Sequence, residues 1–226
     1  MSIFAVIPAG GKGVRSGFTL PKQYLKVNGK ELIVYTLEVF QNNRSVDDIT
    51  VSADPYYFDL LKNIKRKYSL TKLNRFIDGG KERQDSVYNA LKSLPASHDD
   101  IVLVHDAARP LLPDKILTRA LTAAKENGNA VVCIKAKDTL IRGDAVVDKY
   151  LDREGVFYVQ TPQIFTYSVL RKAFDKAKKD KFFGTDESML VKRLREKIYI
   201  VEGSVFNFKV TSHEDFDLLT KLVNHP

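Results

Sequence analysis

Cysteine occurs once in this 226-residue chain and tryptophan not at all. The lone thiol, Cys133 in AVVCI, can form neither an intramolecular disulfide nor a thiolate zinc site. It reads as core filler on a strand. Such cysteine poverty suits a reducing compartment and gives a cytoplasmic expectation. Long apolar runs are also missing. Ile3–Ile7 is stopped by Pro8, too short for a signal sequence, and nothing approaches the roughly 20 apolar residues of a membrane helix. The four histidines form no H-x-x-H pattern, so no metalloprotease-like site is expected. No Lys/Arg block carries interleaved aromatics, which argues against nucleic acid as partner. There is no internal repeat, low-complexity tract or flexible linker. One domain over residues 1–226 is expected.

Two familiar phosphate loops are missing as well. A dinucleotide fingerprint needs G-x-G-x-x-G, and Gly11-Lys12-Gly13-Val14-Arg15-Ser16 lacks the last glycine. The second strand, TVSADP, offers only Asp54 as a ribose-binding acid, so a nicotinamide-dependent oxidoreductase is a distant alternative. A P-loop needs Lys after its second glycine, and Gly13 is followed by Val14.

What is present is a net charge of +8, suited to an anionic partner or simply to a solvated basic surface. Strand and helix signals alternate. Strands are expected at 3–7, 48–53, 75–80, 100–106 and 129–134. Helices are expected at 31–40, 56–68, 83–94 and 113–126. Near-continuous apolar strands alternating with helices predict a mostly parallel sheet flanked by helices. Residues 135–160 break the rhythm with turn signals at Gly143-Asp144 and Glu154-Gly155. They read as a projecting β-arm that cannot bury its own faces and must pack on the body or another subunit. Helices at 167–179, after 184–188 and from His213 follow, with strands near 198–201 and 206–210.

Four segments carry candidate chemistry. In PAGGKGVRSGFTLPKQYL no helix starts directly after the glycines. Gly10, Gly11 and Gly13 allow close backbone approach and an anion-binding nest. Arg15 can fork onto phosphate oxygens and Lys22 can act as a point charge. A solvated glycine turn is the plain alternative. VHDAARP ends a buried strand in Asp106, where open α/β sheets bind ligands. An Asp106–Arg109 structural pair is the alternative there. In DGGKERQDSV, Ser86 and the Gly79-Gly80 backbone could read a base edge, or Asp78 or Asp85 could cap a helix. NFKVTSHEDF places Lys209 on a short strand and Ser212 as an N-cap.

In this order, PAGGKGVRSGFTLPKQYL, DGGKERQDSV, HDAARP and TDES…NFKVT resemble the cytidylyltransferases of the non-mevalonate isoprenoid pathway, over about residues 3–223. The resemblance implies a Rossmann-like nucleotidyltransferase fold whose β-arm joins a homodimer. It implies attack of a methylerythritol phosphate on the α-phosphate of CTP, with Mg²⁺ held mainly by the CTP phosphates and Asp106 nearby; no metal ligand is assigned. By the same resemblance Arg15 and Lys22 stabilise the transition state. Arg153 and Lys209 position the attacking phosphate, Arg153 serving the neighbouring subunit. Ala9, Gly10, Gly11, Gly80, Ser86 and Ala107 meet the nucleotide. Asp106, Thr139, Thr161 and Thr185 meet the sugar alcohol. Lys81, Ser16 and Phe208 depart from the family's usual residues; only Lys81 adjoins the nucleotide contacts. A ribitol 5-phosphate cytidylyltransferase is the near alternative. Ala108 and Thr185, where that group tends to valine and serine, favour methylerythritol phosphate.

Overall fold

The computed structural model describes residues 1–11 and 20–224. The main sheet contains β1 (Ile3–Pro8), β4 (Asp48–Ala53), β5 (Leu73–Asp78), β6 (Ile101–Val104), β7 (Asn129–Lys135), β10 (Phe157–Thr166) and β11 (Ile200–Glu202). A small hairpin pairs β2 (Lys26–Val27) with β3 (Lys30–Glu31), and the arm pairs β8 (Leu140–Gly143) with β9 (Val147–Leu151). The helices are α1 (Leu32–Asn42), α2 (Phe58–Lys67), α3 (Arg83–Ser93), α4 (Asp114–Asn127), α5 (Tyr167–Lys179), α6 (Glu187–Lys192) and α7 (His213–Asn224).

The order across the main sheet is β11-β7-β10-β6-β1-β4-β5. All neighbours are parallel except β10, which runs antiparallel to both β6 and β7. The period of two sorts the core. Ile3, Ala5 and Ile7 of β1 face the layer of α1, α2 and α4, while Phe4 and Val6 face α3, α5 and α6. Burial on both faces explains the near-continuous apolar strands. From β1 the chain crosses to the β4 side, and from β6 to the β7 side. The crevice between the carboxyl ends of β1 and β6 is therefore a topological switch point, where such sheets bind ligands.

Three sequence expectations change. The arm proper is 140–151, shorter than 135–160. Its returning chain becomes β10, a long strand in the middle of the sheet. Residues 161–166 are buried except for half-buried Thr166, yet the proline and polar residues of TPQIFT argue against a central strand when read alone. Third, residues 206–210 form no strand. A single backbone bond, Val210 N–H to Ala108 C=O at 2.9 Å, ties this segment to the turn after β6. Lys209 thus sits in an extended loop. Below it, Val210 and Leu219 of α7 pack with Val27, Leu32 and Ala108.

Candidate active site

The carboxyl ends of β1, β5 and β6 bring the motifs to one edge. At the end of β1, Ala9 N–H donates to Ser52 C=O at 2.7 Å. Gln23, buried, donates its amide to Ala9 C=O at 2.6 Å and to Gly11 C=O at 3.1 Å. That clamp brings Lys22, first residue of the 3₁₀ turn Lys22–Tyr24, back to the glycine turn. Arg15, with Gly13, lies outside the described residues. Beside Gly10 sits the second glycine turn: a Cβ on Gly10 would lie 3.3 Å from Ser86 Oγ. Gly80 N–H donates to that hydroxyl at 2.9 Å, and the hydroxyl donates to Glu82 C=O at 3.1 Å. Ser86 therefore shapes the glycine turn from within, accepting from Gly80 and donating to Glu82. A Cβ on Gly80 would lie 2.1 Å from Asp85 Cβ, so only glycine fits. Neither Asp78 nor Asp85 is the N-cap of α3. Glu82 is, with Asp85 returning the bond to its N–H.

Asp106, at the end of β6, is the hub. Its carboxylate accepts from Arg83 Nε at 2.9 Å, Lys209 Nζ at 3.0 Å and Arg109 Nε at 3.4 Å. Arg83 turns its other two nitrogens onto Glu187 at 2.7 and 3.2 Å, a bidentate pair on an acid whose side chain is 1% exposed. Three cations thus surround two carboxylates. Burial pushes the Asp106 carboxyl up, but the charges of Arg83, Lys209 and Arg109 overcome this and hold it well below the usual range. Burial likewise opposes the charge on Arg83, yet Glu187 and Asp106 raise its pKa above the ordinary arginine value.

A neutral chain of bonds underlies the hub. Asp106 N–H donates to Thr161 Oγ1 at 3.2 Å, which lies 3.1 Å from His105 Nδ1. His105 Nε2 lies 3.0 Å from Arg109 C=O. A carbonyl only accepts, so Nε2 carries the proton and Nδ1 accepts from the Thr161 hydroxyl. Burial pulls the His105 pKa down to about 4. Thr161 reaches Asp106 because β10 is antiparallel and passes the end of β6.

Other expected residues lie elsewhere. Ala107 is buried, its C=O accepting from Thr36 Oγ1 at 2.9 Å. Thr139 is exposed in the turn into the arm. Arg153, exposed at the arm's return, donates to Lys137 C=O at 2.6 Å. No hydrogen bond or ion pair among the described residues joins it to Lys209. Thr185 is exposed and bonds Met189 Sδ at 3.2 Å. Sequence reasoning misses Arg83, Glu187 and Gln23. All three stand inside the quoted motifs; for Arg83 and Glu187 the only added signal is charge, which does not reveal a buried partner 104 residues away.

The described residues do not fit a resident metal. They hold no cluster of three His, Cys, Asp or Glu side chains. Both oxygens of Asp106 already face cations. They also contain no helix long and apolar enough to cross a membrane.

Two glycine turns and a cation-caged aspartate at the switch point of a doubly wound sheet define a nucleotidyltransferase of Rossmann-like type. The family model of 2-C-methyl-D-erythritol 4-phosphate cytidylyltransferase (IspD) matches residues 3–224. The chain belongs to that family. It is 39% identical to the 2-C-methyl-D-erythritol 4-phosphate cytidylyltransferase of Geobacter metallireducens, covering 96% of each chain. To the enzyme of the same name from Clostridioides difficile it is 38% identical, covering 97% of this chain and 92% of the other. The solved enzyme from Thermus thermophilus superposes with a TM-score of 0.82 at 31% identity, covering 99% and 100%. The one from Francisella tularensis gives 0.84 at 30% identity, covering 98% and 99%. The chain is thus a nucleotidyltransferase that moves the cytidylyl group of CTP to 2-C-methyl-D-erythritol 4-phosphate, forming CDP-methylerythritol; the main reading prevails over the ribitol and oxidoreductase alternatives.

Proposed function

We propose that the edge formed by Gly10-Gly11, Gly80 and Asp106 is where CTP and the methylerythritol phosphate meet, and that the acceptor phosphate attacks the α-phosphate in line as pyrophosphate leaves. Catalysis of this kind rests on positioning and on charge neutralisation. Lys22, with Arg15, would neutralise the triphosphate as negative charge builds. Ala9, Gly10, Gly11 and Gly80 supply backbone against the nucleotide; Ser86 contributes by holding Gly80 N–H, and Ala107 lies under the ribose. Mg²⁺ would come in on the CTP phosphates, where it offsets charge on the leaving group.

Lys209 and Arg153 would hold the attacking phosphate. The observation that carries this reading is Lys209 poised on Asp106 at 3.0 Å. Asp106 aims the ammonium at the edge of the crevice without consuming the cluster's excess positive charge. Asp106, Thr139, Thr161 and Thr185 are the contacts proposed for the sugar alcohol. Arg153 would come from the neighbouring subunit. Its arm is a separate two-stranded sheet with Ile141, Val147 and Tyr150 at least half exposed. An isolated hairpin is marginal in water, so this surface is suited to a second copy in a homodimer. The reading needs neither nucleic acid nor membrane, and the cytoplasm is the proposed location.

Pyrophosphate release with Mg²⁺ and CTP tests the assignment, with 2-C-methyl-D-erythritol 4-phosphate compared against ribitol 5-phosphate. Release with the first acceptor and not the second is expected. Preference for ribitol 5-phosphate would refute the acceptor assignment.

A further inference from the structure

A cavity of about 510 Å³ lies between α3 and α5, with Gly80 at one end and Asp106 outside its lining. Its base is aromatic. Tyr88 and Phe174 stack in parallel with centroids 5.8 Å apart, beside buried Ala177. One wall is the segment after α5, which offers Phe183 at 65% exposure. This wall is bolted to α3. Gln84 donates to Phe182 C=O at 3.0 Å and accepts from Gly184 N–H at 2.8 Å.

The rim is cationic. Lys81, Lys92, Lys178 and Lys181 line it, against one acid, Asp85. Asp85 already accepts from Glu82 N–H at 3.1 Å. Among the described residues, none of these four lysines has a carboxylate within ion-pairing distance. Lys92 and Lys178 stand 4.8 and 5.5 Å from the Tyr88 ring centre. The acid nearest that ring, Asp175, is occupied by the Tyr88 hydroxyl and Arg171.

We infer that this groove is a binding site for a small amphipathic phosphate ester, with its hydrocarbon on Tyr88, Phe174 and Phe183 and its phosphate among the lysines. The volume is that of a small-molecule site. A preformed aromatic base rewards an apolar body. Four ammonium groups against one carboxylate call for a head with more than one negative charge. The site borders the nucleotide turn at Gly80 but opens on the opposite face of α3. Gln84 and Tyr88 share one face of α3, whereas Ser86, two residues from each, points to Gly10 and Gly80.

The test is a fluorescence titration of the whole enzyme with 1-anilinonaphthalene-8-sulfonate, followed by displacement with n-hexyl phosphate. Expected is displacement by n-hexyl phosphate but not by equal n-hexanol or inorganic phosphate, and no displacement by saturating CTP. Lys178→Glu/Lys181→Glu should weaken n-hexyl phosphate about tenfold. Phe183→Ala should weaken both probe and ester. All three side chains are exposed, so the variants fold, and pyrophosphate release should stay at the wild-type level. Unchanged affinity in both variants, or displacement by CTP, would overturn the inference.

Discussion

His105 makes the fold acid-sensitive in a defined window. The side chain is fully buried and bonded as a neutral ring between Thr161 and Arg109. Burial pulls its pKa from 6.5 to about 4, outweighing the attraction of Asp106. The folded value lies below the unfolded one, so the unfolded chain binds the extra proton. The contribution of the neutral ring is complete above pH 6.5 and is lost as pH falls through 4. The full loss is about 3 kcal/mol, and about 2 kcal/mol of it falls between pH 6.5 and 5. Asp106 stays ionised throughout that window. For a chain of this length 2 kcal/mol corresponds to roughly 4–8 °C in Tm. Urea unfolding at pH 7.5 and 5.0 reads the effect, with His105→Gln as the non-titrating control. The variant should lose most of the wild-type's pH dependence. Equal slopes, or an imidazole resonance of His105 titrating near 6.5, would refute the reasoning.

Lys22→Ala should lower kcat by about 10²–10³-fold with a far smaller change in CTP binding, since a group that neutralises developing charge acts mainly in the transition state. An equal loss in both would make it a docking residue. Arg83→Ala leaves Glu187 buried without its bidentate partner, and urea unfolding should show a cost of about 3–5 kcal/mol. Arg83→Ala/Glu187→Met should recover much of that; no recovery would mean that the pair is not the source. Mixing Arg153→Ala with Lys22→Ala subunits should restore activity, because a mixed dimer holds one intact site. Absence of rescue would place Arg153 in its own subunit's site.

Local rules make much of this protein legible from its residues alone. Burial on both faces writes β1 and β6 as apolar runs, and the 3.6-residue period writes α4 and α5 nearly to the residue. The two glycine turns are visible as well, because positive φ or close approach leaves glycine few substitutes. Asp106 can be placed at a ligand-facing strand end from the strand alone.

What escapes depends on distant chain. β10 reads as the arm's tail because its antiparallel place between β6 and β7 is a matter of pairing with residues far away in sequence. That placement brings Thr161 under Asp106 and makes His105 a neutral strut. The pattern around Lys209 suggests a strand, but one bond to Ala108 leaves its segment in a loop reaching Asp106. Ser86 shows the same division: its position beside Gly80 can be read, but its inward hydroxyl cannot. Which residues can carry charge, turn the chain or enter the core is a property of single residues and their near neighbours, and is legible from the chain alone. The bridge that Arg83 makes between Asp106 and Glu187 arises from packing of distant segments, because a buried ion pair exists only where packing removes water from both partners.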